Sequence, residues 1–233
     1  MKKISGLLLL ACVSLSISAQ TPMISSGAEI NDFMKSDLSY LTEQEKRYGS
    51  IEGTPYLEDD YSLGALRYKN KKFVDILLRY NYYEGYFEYK TKDQIQYFDP
   101  RYTEVDTVWY LGSKYIYIPF ETGKDVKKSY MKVLKDGKSQ VLLHKEVIKL
   151  LPEQASGYEA AKPARFDPRP ETYYIRIGIK PAIEFKNKKS IDDIFGDKAG
   201  LLQAYVKSEK LKFKDSEDLV KLCEYYDKQI ATD

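Results

Sequence analysis

Between Ser62 and about Leu151 the chain alternates apolar and polar residues with a period of two. Val74, Ile76, Leu78 and Tyr80 fall on one side of such a run and Asp75, Leu77, Arg79 and Asn81 on the other, the pattern of a half-buried strand. Lys69-Asn70-Lys71 supplies a turn before it and Glu84-Gly85 a turn after it, leading into Tyr86 to Lys90 with Phe87 and Tyr89 inward. Ile116, Ile118 and Phe120 alternate with Tyr115 and Tyr117 in a further strand. Met131 to Leu143 holds two alternating runs joined at Asp136-Gly137, a pair suited to a type I′ turn. Tyr173, Ile175, Ile177 and Ile179 make a strand that turns near Pro181 into Ile183 and Phe185. Hairpins in succession make an antiparallel meander.

The period lengthens at both ends. Ile30, Phe33, Met34, Leu38 and Leu41 predict a short amphipathic helix over 28–46, and Gly49, Gly53 and Pro55 then stop regular structure. Past the strands, Ser190 with Asp193, and Asp215 with Asp218, are helix starts with acidic groups in the first turn. Leu201, Leu202, Tyr205 and Val206 line one helix; Leu219, Leu222, Cys223 and Tyr226 line the next. The fold class is therefore α+β: an antiparallel β-meander over 51–186, its sheet free to curve strongly, followed by helices in 187–233 packed on it. Those helices are too few to bury their stripes alone, so one cooperative unit is expected; a separable helical domain is the alternative. A proline- and alanine-rich stretch, 152–172, reads as a long loop, longer than ordinary connections and so either mobile or functional. Phe-Asp-Pro-Arg occurs at 98–101 and again at 166–169, read as two aromatic-anchored turns.

The first nineteen residues give an address. Lys2 and Lys3 precede an apolar run from Ile4 to Ile17, and Ser18-Ala19 before Gln20 is a small-residue cleavage point. This is the pattern of a secretory signal peptide, 1–19, with 20–50 a lead-in to the body. Leu9-Leu10-Ala11-Cys12 offers a rival reading, a lipid anchor at Cys12, against which Val13 to Ile17 continue the apolar run. Export to the periplasm or the cell surface is expected. After removal of Lys2 and Lys3 the remaining 35 basic and 35 acidic side chains balance, so nothing draws the body to nucleic acid or anionic lipid. No later apolar stretch has the roughly 20 residues of a transmembrane helix. Cys223 is the one thiol outside the signal, so stability must come from a packed core.

Candidate chemistry is sparse. His144, the only histidine, rules out multi-histidine metal sites and sits in an apolar strand where packing explains it. Cys223 lies on the apolar stripe of the last helix and reads as a structural thiol. Glu58-Asp59-Asp60 lacks the alternating oxygen ligands and central glycine of a calcium loop, and no glycine-rich phosphate loop occurs. No metal or cofactor is expected. Tyrosine is the unusual feature, 22 residues against nine phenylalanines. With the aliphatic positions facing the core, Tyr83, Tyr86, Tyr115 and Tyr117 share the opposite face with Arg79, Asn81 and Glu88, a surface suited to stacking sugar rings or docking a partner. The competing reading has the C-terminal helices covering that face as a second core layer.

Gly53-Thr54-Pro55-Tyr56-Leu57, Leu78-Arg79-Tyr80-Asn81, Asn187-Lys188-Lys189-Ser190 and the Ala19-Gln20 junction together resemble a group of uncharacterised exported proteins of Bacteroidota. The resemblance spans most of the chain beyond the signal; it implies an envelope location and a β-rich body, and brings no activity, ligand or catalytic residue. The leading expectation is a non-enzymatic envelope protein that binds a partner protein or a glycan. The alternative is a carboxylate-dependent hydrolase acting on envelope glycans, marked by two carboxylates in one pocket.

Overall fold

The computed structural model describes residues 23–25, 48–91, 95–99, 104–154 and 162–230. The expected signal peptide, the alternative anchor at Cys12 and the helix expected over 28–46 lie outside them. The strands are β1 (Met23–Ser25), β2 (Ser62–Tyr68), β3 (Lys71–Asn81), β4 (Tyr86–Lys90), β5 (Ile95–Tyr97), β6 (Val105–Tyr110), β7 (Ser113–Thr122), β8 (Asp125–Lys135), β9 (Ser139–His144), β10 (Val147–Leu150), β11 (Arg165–Pro168), β12 (Thr172–Ile177) and β13 (Ile183–Glu184). Three helices follow, α1 (Ser190–Phe195), α2 (Ala199–Ser208) and α3 (Ser216–Gln229), with a 3₁₀ turn at Gly196–Lys198 between the first two.

Among the described residues one large sheet runs β13-β12-β9-β8-β7-β6-β2-β3-β4-β5, with β1 parallel to β3 and every other neighbour antiparallel. The α+β class and the meander are thus as the alternation predicts, with one departure from simple succession: β6 pairs with β2, not with β5. The β2–β3 turn is built at Lys69-Asn70, both left-handed at φ 46° and 63°, as a two-residue hairpin turn requires. At the β8–β9 hairpin, by contrast, only Gly137 has positive φ and the register shifts between Val133 and Lys135, so the type I′ expectation gives way to a three-residue loop with a bulge.

The sheet does not lie flat. Phe87 on β4 and Tyr130 on β8 are five strands apart, about 24 Å at the usual strand spacing of ~4.8 Å, yet their ring centroids are 5.2 Å apart. Strands β2 to β8 therefore roll around an aromatic interior of Tyr68, Tyr80, Phe87, Tyr89, Phe98, Tyr110, Tyr115 and Tyr130. The other end rolls the opposite way. Ala182, just before β13, bridges to Phe120 on β7, with N–H···O bonds of 2.9 Å in both directions. That closes β7-β8-β9-β12-β13 around Ile116, Ile118, Phe120, Met131, Leu142 and Tyr174. Successive residues of β7 thus face two different interiors, and the sheet is S-shaped.

The helices form a third core. Ile191, Phe195, Ala199, Leu202, Val206, Leu219, Leu222 and Cys223 bury themselves against Val141 and Ile175 on β9 and β12. Leu201, assigned by spacing to this stripe, is instead exposed. Asp215 caps α3, its carboxylate accepting from Glu217 N–H at 3.1 Å. Ser190 lies inside α1 and not at its cap, and its hydroxyl accepts from the Lys186 N–H at 3.1 Å. The span 152–172 carries a strand of its own: β11 pairs with β10 and holds Phe166 to Pro168, so the second Phe-Asp-Pro is ladder and not turn.

Candidate functional site

Rolling the sheet turns one strand face into a concave, tyrosine-rich surface, and its open end holds a cavity of about 260 Å³. The cavity is lined by Tyr80, Tyr82, Tyr115 and Tyr130, by Leu57, Leu111, Ser113 and Leu143, and by Lys132, Lys145 and Glu171. Tyr80 and Tyr115 arrive from inward positions of β3 and β7; Tyr82 follows where β3 ends. That end is fixed by Asn81, whose side-chain oxygen accepts from the Glu84 N–H at 3.0 Å. The Tyr80 ring meets the edge of Tyr82 at 4.7 Å and tilts against Tyr115 at 5.8 Å. Tyr130 is held by its own hydroxyl, which donates to the Val105 carbonyl at 2.7 Å.

Burial dominates the electrostatics. It pushes the Tyr115 phenol up to about 12 and raises Tyr82 and Tyr80 further. The Tyr82 and Tyr115 hydroxyls adjoin and perturb each other. Lys145 forms an ion pair with Glu171. The Lys132 ammonium has no ion-pair or side-chain hydrogen-bond partner among the described residues.

Of the residues expected on one aromatic face, the structure keeps only some together. Tyr115 is buried, 4 % exposed, and lines the cavity; Tyr117 is half-buried and packs on Tyr130 with ring centroids 5.1 Å apart. Tyr86 is buried on the opposite face of the sheet, stacked on Tyr97 at 4.6 Å. Tyr83 is 39 % exposed in the β3–β4 turn, edge-on to Phe166. The expected face is split because the sheet carries cores on both sides, so the aliphatic positions of β3 and β7 do not point the same way. The alternative cover, the C-terminal helices, lies further along the sheet on β9 and β12; curvature encloses the tyrosines instead. Tyr82, Lys132, Lys145 and Glu171 were outside the expected set, since only the roll brings them to one place.

Arg79, Asn81 and Glu88 do share a face, with Tyr86, and it is covered. Glu88 is fully buried and takes Arg79 Nε and Nη2 at 3.1 and 2.8 Å, Tyr61 Oη at 3.0 Å, Tyr56 Oη at 3.3 Å and Asn81 Nδ2 at 3.4 Å. The Arg79 guanidinium lies 3.7 Å from the Tyr56 ring centroid and 4.3 Å from that of Tyr61, within cation–π range of both. Its remaining arm donates to the Asp59 carbonyl at 2.9 Å. Both oxygens of Glu88 are taken up by these contacts within the chain. This cluster is a clamp holding 48–61 against β3 and β4.

The remaining candidates are structural. His144 Nε2 lies 3.2 Å from the Ser129 hydroxyl, with its ring against Phe120. Cys223 is fully buried, which pushes its thiol up to about 12. Among the described residues no grouping of histidine, cysteine or carboxylates is arranged to hold a metal ion, and no helix is long and apolar enough to cross a membrane. The chain matches no family model, and neither a curated protein nor a solved structure matches it.

Proposed function

We propose that this is an exported cell-envelope protein, periplasmic or held at the surface, that binds a glycan fragment without transforming it. The observation that carries the reading is the cavity: four tyrosines at the mouth of a rolled sheet, their apolar rings beside the hydroxyls of Tyr82 and Tyr115. A sugar ring has the matching surface, apolar C–H faces rimmed by hydroxyls. At about 260 Å³ the space is near the small end of ligand pockets, typically about 300–1,000 Å³, and fits one ring better than a chain. A concave site also favours a small ligand over a protein partner, which would need a broad exposed face; of the four tyrosines expected there, only Tyr83 is exposed. The export half of the proposal rests on the signal-peptide pattern and the resemblance to Bacteroidota exported proteins.

The hydrolase alternative needs two carboxylates flanking one bond. Glu171 is the single carboxylate lining the cavity among the described residues, and it is engaged by Lys145. Calorimetric titration of the full mature chain with a panel of mono- and disaccharides tests the binding reading. Saturable, one-to-one binding that Tyr82→Ala weakens at least tenfold is expected. Absence of saturable binding across the panel, or turnover of a glycan abolished by Glu171→Gln, overturns it.

A further inference from the structure

The cavity is not electrically balanced. Lys145 has Glu171 beside it, while Lys132, which lines the same space, has no carboxylate among the described residues. Its position is fixed by the ladder: Lys132 stands opposite Tyr115 across the β7–β8 pair and opposite Leu143 across the β8–β9 pair. Cross-strand partners project from the same face with their Cβ atoms roughly 4.5–5.5 Å apart, so Lys132 and Tyr115 share the face that lines the cavity. Lys132 is half-buried in the cavity wall, so an anion entering the cavity would meet a cation that has no carboxylate at ion-pair distance. The phenols are the other polar groups at that wall. Tyr82 and Tyr115 carry hydroxyls that adjoin one another, and a phenolic O–H donates well to a carboxylate oxygen.

We propose that the cavity selects an acidic sugar: a single ring bearing a carboxylate, with Lys132 Nζ and the Tyr82–Tyr115 hydroxyls on the carboxylate and the ring face against the tyrosines. The proposal rests on the reading of the cavity as a glycan site and adds the charge of the ligand. Lys132 is the specificity-determining residue, and the Lys145–Glu171 pair, already neutral, leaves the net charge of the site positive.

Titration of the full mature chain with glucuronate and with glucose, at low and at physiological salt, separates the two claims. Glucuronate is expected to bind at least tenfold more tightly than glucose, with an advantage that shrinks as salt rises. Lys132→Met should remove that advantage, bringing glucuronate to the affinity the same variant shows for glucose, while Lys132→Arg retains it; circular dichroism of both variants checks that they fold. Equal affinity for the two sugars, or an advantage that survives in Lys132→Met, overturns the acidic-sugar proposal and leaves the cavity reading standing. Saturable binding of neither sugar overturns both.

Discussion

Asp227, in the last turn of α3, accepts hydrogen bonds from the Ser139 backbone N–H at 2.8 Å and from the Ser139 hydroxyl at 2.6 Å. Ser139 begins β9 and is fully buried, and Lys135 at the end of β8 completes the contact with an ion pair to the same carboxylate. One side chain therefore ties the C-terminal helix to the β8–β9 hairpin. It also explains Gly137: a Cβ there would sit 2.7 Å from Asp227 Oδ2 and 3.0 Å from Lys135 Nζ.

Removing that tie should loosen the helix. Asp227→Ala takes the counter-ion from Lys135, which keeps the Ser139 carbonyl, and the acceptor from the Ser139 N–H, and hydrogen bonds to charged groups contribute about 1.5–3 kcal/mol each. A loss of about 2–4 kcal/mol in denaturant unfolding is expected, non-additive with Ser139→Ala. Limited proteolysis provides the second readout. The wild-type chain should resist cleavage between β13 and α1, and the variant should be nicked there. Release from the wild type of a stable fragment ending near residue 186 contradicts a single folding unit.

The cavity tyrosines differ in what they hold up. Tyr115 touches Phe87 and Tyr80 inside the first roll, so Tyr115→Ala should cost about 3–5 kcal/mol, as large-to-small aromatic changes in cores do. Tyr117→Ala, from a half-buried position, should cost less. Tyr115→Phe keeps the ring and should unfold within a few degrees of the wild type. A melting temperature unmoved by Tyr115→Ala would show that the roll is open at β7.

The Arg79–Glu88 clamp predicts an asymmetry. Glu88→Gln leaves a buried guanidinium without its counter-ion and should destabilise by about 3–5 kcal/mol, whereas replacing both partners with apolar residues should recover much of that loss. Hydrogen exchange reports where the damage falls. Amides of 48–61 should lose protection before those of β7 and β8, because Tyr56, Tyr61 and the Asp59 carbonyl are anchored on this pair.

His144 sets the pH response on the acid side. Burial lowers its pKa from the ordinary 6.5, and the Glu146 carboxylate opposes the shift without reversing it. As pH falls through 6.5 the unfolded chain takes up a proton that the folded chain does not, so stability is full above that value and declines below it. His144→Phe should flatten the fall that begins as pH drops below about 6.5. Unfolding curves that superimpose for wild type and variant across that range would remove His144 from the account.

Local elements were legible in the sequence wherever one side of the strand met a core. Tyr80 with Phe87, the Lys69-Asn70 turn and the Asp215 cap follow from alternation and turn chemistry alone. The candidate site was not legible, for a geometric reason. A period-two pattern reports which residues share a face, never how far that face bends. In β7, apolar residues occur at every position from Tyr115 to Ile118, so the strand satisfies two interiors and the pattern cannot say which tyrosines are enclosed. Lys132 carried no signal in sequence: a lysine in an alternating strand reads as solvated surface until curvature brings Tyr82 over it. The Asp136-Gly137 hairpin was visible, but not the register shift between Val133 and Lys135 that goes with its three-residue loop.

The double use of β7 bears on how such a protein can change. Tyr115 and Ile116 are covalent neighbours, yet one wall of the strand borders the tyrosine-lined cavity and the other the core of Ile118, Phe120, Met131, Leu142 and Tyr174. Because Tyr115 also belongs to the aromatic core, a substitution there changes the cavity wall and the packing together. From Tyr115 to Ile118 the strand has no idle side, so a change in the shape of the cavity at this strand carries a cost in the stability of the fold.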